Sequence, residues 1–300
     1  MPWLIGILIT ALVAGALLLG LGFALAAYAA RTNRQTIPQA WAWQRAHYDL
    51  SWYEGLSKTE WQVTCSDGYV LHVHLLENPI PSDRYILISH GYTDCHVGSL
   101  KYAKTYLDLG FNVITYDLRG HGENAPAFCT YSVREARDLN ALILDCRGRF
   151  PGARVLGLHG ESLGAATTVA CLGYRPEVDF AVADCGFCEI EPILVQGLKG
   201  FHLPAWLVHV ASLCAKIRYG SFYHEMRPID CLPENRIPLL FLHGEKDSFI
   251  PPEHSHRMWK ATSGFSEFFL IEGAGHAASV LTDPAAYRAY VEGFLRKVLI

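Results

Sequence analysis

Val155-Leu156-Gly157-Leu158-His159-Gly160-Glu161-Ser162-Leu163-Gly164-Ala165-Ala166 is an apolar run that stops abruptly at a glycine and passes into small residues suited to a helix. It holds a G-x-S-x-G pattern in a strand–turn–helix setting. A serine hydroxyl held clear of the surface needs a sharp, strained turn. Side chains two residues before and after it would collide in that turn, so glycine fits at Gly160 and Gly164. The helix that follows points its N-terminus at the serine, where backbone N–H groups can stabilise negative charge. The pattern alone also fits an ordinary turn, so its meaning rests on the order of the elements around it.

Working outward, the chain alternates strand and helix. Upstream, Glu60 to Thr64 and Tyr69 to Leu76 alternate on either side of Cys65-Ser66-Asp67-Gly68, which predicts a hairpin. Strands are expected at Tyr85–Ser89, Phe111–Tyr116 and Arg154–Leu158, with helices over Leu100–Leu109 and Ser132–Arg149. The second helix opens on the capping-box pattern Ser132-Val133-Arg134-Glu135. Downstream come a helix over Ser162–Leu172, strands at Phe180–Ala183, Ile237–Leu242 and Phe268–Ile271, and a last helix over Ala285–Val298. Repeated βαβ connections between short apolar strands predict an α/β class domain, a mostly parallel, doubly wound sheet with helices on both faces. The alternation breaks between 188 and 235. There Ile190–Val195 and His202–Ile217 read as helices of a small cap inserted into the domain, and an apolar cap would line an acyl pocket. The expected domain is therefore 60–300, with the cap at 188–235.

The first thirty residues are a separate element. Met1 to Ala30 carry no charged side chain. As a helix, Trp3 to Ala30 would be about 42 Å long, more than the hydrocarbon thickness of a bilayer, so it could cross with tilt. A signal peptide would need a basic start and a shorter apolar run. Ala27-Tyr28-Ala29 does look like a cleavage site, but a single transmembrane helix is the reading preferred, with the protein in the cell membrane. Arg31, Arg34 and Arg45 follow the segment and nothing basic precedes it, a weak indication that the domain lies on the cytoplasmic side. Residues 31–59 form a connector rich in aromatics: Trp41, Trp43, Tyr48, Trp52 and Tyr53. These are expected to dock onto the domain, the membrane interface being the alternative.

Composition excludes other classes. The 300 residues are 51% hydrophobic and 18% charged, with net charge −4 and no basic run, so nucleic acid is not an expected partner. The nine cysteines are odd in number and scattered, without the spacing of a disulfide framework. Cys185-Gly186-Phe187-Cys188 is a lone C-x-x-C with no second pair, read as structural thiols rather than metal or redox chemistry.

In a doubly wound sheet, functional residues gather beyond the strand ends. The expected strands end in His90-Gly91-Tyr92-Thr93-Asp94, in Asp117-Leu118-Arg119-Gly120-His121-Gly122, at Ser162, in His243-Gly244-Glu245-Lys246-Asp247, and in Gly273-Ala274-Gly275-His276. Nucleophile, acid and base in the order Ser162, Asp247, His276 would then meet at one edge. A serine hydroxyl is a weak nucleophile at neutral pH and needs a base within hydrogen-bond reach. Histidine titrates near that pH, so His276 suits, and Asp247 would orient its ring. Asp184 is the fallback acid. An oxyanion needs two preorganised donors, and the backbone N–H groups of Leu163 and Tyr92 are the candidates. His90, His121, His159 and His243 also sit beside glycines at strand ends, but no carboxylate–histidine ligand motif accompanies them. Neither a metal nor an organic cofactor is expected.

With these motifs in hand, the sequence from about Glu60 to the C-terminus resembles the α/β-hydrolase family. The carriers are His90-Gly91, Asp117-x-Arg119-Gly120-x-Gly122, Gly160-x-Ser162-x-Gly164, the Gly244-x-x-Asp247 turn and Gly275-His276. Within the family it looks like membrane-tethered bacterial hydrolases related to the serine aminopeptidase and dienelactone-hydrolase groups. The resemblance implies the α/β-hydrolase fold and a serine hydrolase acting through an acyl-enzyme on small-molecule carboxylic esters, with an apolar acyl group. A peptidase or amidase acting on short peptides is the second reading, with Glu189 and Glu191 as the pair that could hold a free amine. An acyltransferase would keep the same triad and exclude water. A non-catalytic binding protein on the same fold is the rival of another class. One departure stands out: where many members carry serine, this chain has Asn124, which is expected to alter a loop contact.

Overall fold

Short apolar runs bounded by glycine, proline and polar turns give the strands, and the computed structural model describes residues 2–31 and 34–299. Along the chain lie α1 (Pro2–Ala30), α2 (Ile37–His47), α3 (Ser51–Glu54), β1 (Lys58–Thr64), β2 (Val70–Leu76), β3 (Arg84–Ser89), α4 (Leu100–Asp108), β4 (Asn112–Tyr116), α5 (Val133–Arg149), β5 (Val155–Glu161), α6 (Leu163–Cys171), β6 (Phe180–Asp184), α7 (Glu191–Gly200), α8 (Leu207–Tyr219), β7 (Leu239–Gly244), α9 (Glu253–Ala261), β8 (Ser266–Ile271), α10 (Ser279–Thr282) and α11 (Pro284–Val298). Among the described residues these fall into two compact units, one of 34–188 and 227–299, the other of 2–31 and 189–226.

The larger unit is built on an eight-stranded sheet of order β1-β2-β4-β3-β5-β6-β7-β8. β1 and β2 form the antiparallel hairpin that the Asp67-Gly68 turn predicts, pairing Lys58 with Leu76 and Thr64 with Val70. Gly68 supplies the left-handed backbone that the turn needs (φ 80°). β2 pairs antiparallel with β4, and from β4 to β8 every pairing is parallel. β4, β6 and β7 are buried along their whole length. That is why they read as continuous apolar runs rather than alternating ones. One face of the sheet shares a core with α4 and α11. There Tyr102, Tyr106, Tyr287, Val291 and Phe294 meet Ile86, Ile88, Val113, Phe180, Val182 and Leu240. α5 and α6 pack together on the other face. The mostly parallel sheet with helices on both faces is as the sequence predicts.

Four helices were not anticipated: the short α3 and α10, and the longer α2 and α9. α2 lies within the expected connector, started by Thr36 with a capping box to Gln39 and by Pro38 in its first turn. Its buried Gln44 donates through Nε2 to the carbonyl of Gly98 (3.2 Å). Trp41, Tyr48, Trp52 and Tyr53 pack on the core, so these connector aromatics dock onto the larger unit. α9 follows Pro251-Pro252 and was missed because proline and histidine mask its period.

The smaller unit holds α1 and the chain from 189 to 226, including α7 and α8. The insertion expected over 188–235 thus leaves residues 227–235 with the sheet. α1 is long and apolar enough to cross a membrane, and its most apolar stretch is wholly unburied.

Candidate active site

β5 delivers Ser162 at its C-terminal end, and the serine caps α6 with φ 53° and ψ −112°, a strained left-handed conformation. Glycines flank it because the turn leaves no room. A Cβ on Gly160 would lie 2.2 Å from the carbonyl oxygen of Gly164, and one on Gly164 would lie 2.0 Å from that of Ser89. Gly164→Val is therefore expected to prevent the turn from closing. A lowered thermal midpoint, compared with Ala165→Gly as control, is the outcome that checks this.

The structure brings Ser162, His276 and Asp247 into one hydrogen-bonded chain. Ser162 Oγ–H donates to His276 Nε2 (3.0 Å), and His276 Nδ1–H donates to Asp247 Oδ2 (2.7 Å). The Asp247 carboxylate also accepts from the backbone N–H groups of Phe249 (3.0 Å) and Ile250 (2.9 Å). Burial works against its charge. Hydrogen bonds from His243, His276 and Ile250 outweigh that and hold Asp247 well below the usual carboxylate range. His243 is a partner that sequence reasoning did not assign: it stands 3.3 Å from Asp247 Oδ2, donates to the carbonyl of Ile250 (2.7 Å) and accepts from Ser255 (2.7 Å).

Leu163 is the first residue of α6, so its N–H has no partner within the helix. Gly91 lies against the serine, since a Cβ there would sit 3.7 Å from Ser162 Cβ, and Tyr92 follows it. The peptide of Tyr92 is held by His121, whose Nε2–H donates to its carbonyl (2.6 Å), and its ring stacks on Tyr131 (5.4 Å).

The fallback acid, Asp184, is not hydrogen-bonded to His276. It accepts from Tyr102 (3.1 Å) and Ser279 (3.2 Å). Burial, with Glu161 nearby, pushes its carboxyl up to about 6. An acid raised on folding binds more protons folded than unfolded, so its stabilising contribution is present below the unfolded value near 4 and is lost as pH rises towards 6. Asp184→Asn is expected to gain stability relative to wild type across that window. Thermal midpoints of both proteins from pH 4 to 7 would check it.

Glu161, between Gly160 and Ser162, pairs with Lys101 and accepts from Tyr102. Lys101 also donates to the carbonyl of Ala277 (3.2 Å), the residue after His276, which has φ 55°. Burial disfavours the ammonium, but the facing Glu161 overcomes this and holds it above its ordinary value. A lysine on an amphipathic helix reads as a surface residue, so the sequence offers no signal for this pair.

The neighbouring loop is braced from several sides. Arg119 grips Asp138 through two bonds (2.8 and 2.7 Å), and Asp117 accepts from the N–H groups of His96 (2.7 Å) and Glu123 (2.8 Å). Asn124 accepts from the N–H of His72 (2.8 Å) and donates to the carbonyl of Asp117 (2.6 Å), tying β2 to that loop. His90, His121, His159 and His243 each have separate partners: His90 takes the N–H of Leu118 (2.9 Å) and His159 the hydroxyl of Tyr106 (2.9 Å). The groups whose donor atoms lie close enough to share an ion, among the described residues, are His74, His96, Asp117 and Glu123, and Cys185 with Asp247 and His276. Cys185 and Cys188 are buried and outside any disulfide, and Cys188 Sγ lies 3.1 Å from His254 Nδ1.

Comparisons with known proteins agree with this fold. The sequence pattern of the alpha/beta hydrolase family matches residues 86–290. The chain is 31% identical over 248 residues to the uncharacterized protein YqkD of Bacillus subtilis, covering 81% of each chain. It is 24% identical over 194 residues to the putative esterase YitV of the same organism, covering 60% of this chain and 75% of that one. Among solved structures, the esterase Pf2001 of Pyrococcus furiosus superposes with a TM-score of 0.69 at 20% identity, over 89% of this chain and 97% of that one.

Proposed function

Since the chain belongs to the alpha/beta hydrolase family, we propose that it is a membrane-anchored serine hydrolase cleaving carboxylic esters with an apolar acyl group. The observation that carries this reading is the hydrogen-bonded chain from Ser162 through His276 to Asp247, mounted on a strained turn. His276 Nε2 takes the Ser162 proton as Oγ attacks the ester carbonyl carbon. Asp247 keeps the proton of Nδ1 on its own side and stabilises the imidazolium that forms. The N–H groups of Leu163 and Tyr92 receive the oxyanion, and each such donor contributes about 3 kcal/mol to the transition state. The imidazolium then protonates the departing alkoxide. Water, deprotonated by His276, attacks the acyl-enzyme carbonyl, and as the acyl–Oγ bond breaks His276 returns the proton to Ser162 Oγ and the carboxylic acid leaves.

α1 supplies the anchor, and an enzyme tethered to a bilayer meets lipophilic esters at high local concentration. The peptidase reading needs an acidic pair free to bind an amine. Glu191 instead faces His209 (3.9 Å), which favours the ester reading. The test is a panel of p-nitrophenyl esters of increasing chain length beside aminoacyl p-nitroanilides, with the full chain in detergent micelles. Hydrolysis of esters, rising with acyl length, is expected. Preference for the anilides would move the assignment to a peptidase, and turnover of neither by folded protein would move it to a binding role.

A further inference from the structure

We propose that the insertion itself enters the membrane surface: the C-terminal part of α8 dips into the interfacial layer of the bilayer that α1 crosses. This rests on the anchor reading above and goes beyond it. Along α1, residues 2–21 are exposed apart from a half-buried Leu18. A helical stretch of that length spans about 30 Å, the hydrocarbon thickness of a bilayer. Beyond it the helix changes character. Gly22, Ala26 and Ala30 are buried, one row spaced by four, and α8 packs against this end. The approach is close: a Cβ on Gly22 would lie 2.8 Å from both Cys214 Sγ and Val210 Cγ1.

The two helices run antiparallel. Phe201, just before α8, packs edge-on against Tyr28 (ring centroids 5.7 Å), while Cys214 Sγ reaches the carbonyl of Leu19 (3.7 Å). The later α8 residues therefore come nearest the lipid-facing stretch of α1. On α8 the row beside the α1 contact is apolar and uncovered, with Trp206, Leu213 and Ile217 exposed at 53%, 45% and 64%. Their spacing of seven and four puts them on one face. No acidic residue occurs from Leu207 to Tyr219, whereas Lys216 and Arg218 stand in its last turn. Aromatic residues at the level of the headgroups, an apolar row and basic residues beside it are the chemistry of a helix end that enters an interface. The occupant of this face is thus phospholipid, continuous with the lipid around α1.

The test is photolabelling of the full chain in phosphatidylcholine–phosphatidylglycerol liposomes by a membrane-partitioned phenyl diazirine, with adducts mapped by residue. Label on residues 2–21 and also on Trp206, Leu213 and Ile217 is expected. Label on α1 with none on α8 would overturn this inference and leave the anchor standing, and cross-links between copies through α8 would do the same. Label on the inward residues Val208, Ala211 and Ala215 alone would also overturn it, because the reagent would then occupy a protein cavity. Absence of label from α1 would overturn the anchor reading, and this inference with it.

Discussion

Ser162→Ala is expected to lower kcat for ester hydrolysis by at least about 10⁴-fold, and His276→Ala by a similar factor, because the two act as a unit. The remaining activity would reflect binding and the oxyanion donors. The double variant should lose little more than either single one, and this non-additivity separates a coupled nucleophile–base pair from two independent contacts. Asp247→Asn should reduce kcat less than Ser162→Ala does, since His243 and the backbone donors of Phe249 and Ile250 still hold the side chain in place. Steady-state kinetics on a p-nitrophenyl ester measures all four. Equal activity in wild type and Ser162→Ala would remove the nucleophile from the account.

Lys101→Met is expected to show the other large effect. Lys101 and Glu161 are both almost wholly buried, and removing one partner of a buried pair leaves an uncompensated charge at a cost of about 3–5 kcal/mol. For a domain of this size the thermal midpoint should fall by about 10 °C. A second effect comes from geometry. Lys101 joins Glu161, beside the nucleophile, to the carbonyl of Ala277, beside the base, so its loss should lower kcat while leaving KM nearly unchanged. Lys101→Met/Glu161→Gln should recover much of the stability, since no unpaired charge remains, but not the kcat, since the tie to Ala277 is still gone. Recovery of both would make the pair purely structural.

The sheet was legible because its strands lie between covered faces and are therefore short, continuous and apolar, and because the glycines after them mark where the chain must turn. The neighbourhood of Ser162, Asp247 and His276 was legible for the same reason: three different strand ends put the right side chains at one edge. Long-range pairing was not legible. Lys101 gives no sign in its own helix that it is buried, as its partners lie 60 and 176 residues away. His243 was noted for its glycine neighbour, but its contact with Asp247 depends on how the 244–250 turn closes. α2 was hidden because clustered tryptophans mask its helical period, although most connector aromatics pack on the core, as expected. The packing of α8 on α1 was also beyond reach, because a small-residue row at Gly22, Ala26 and Ala30 fits lipid and helix equally well.

The central claim is that Ser162 is an activated nucleophile. The most direct measurement is mass-spectrometric mapping of the full chain, in detergent, after reaction with a fluorophosphonate. The account predicts one stoichiometric adduct on Ser162, formed by wild type and absent from Ser162→Ala and His276→Ala. A folded wild-type protein that forms no adduct on Ser162, or a His276→Ala variant that reacts as fast as wild type, would contradict it.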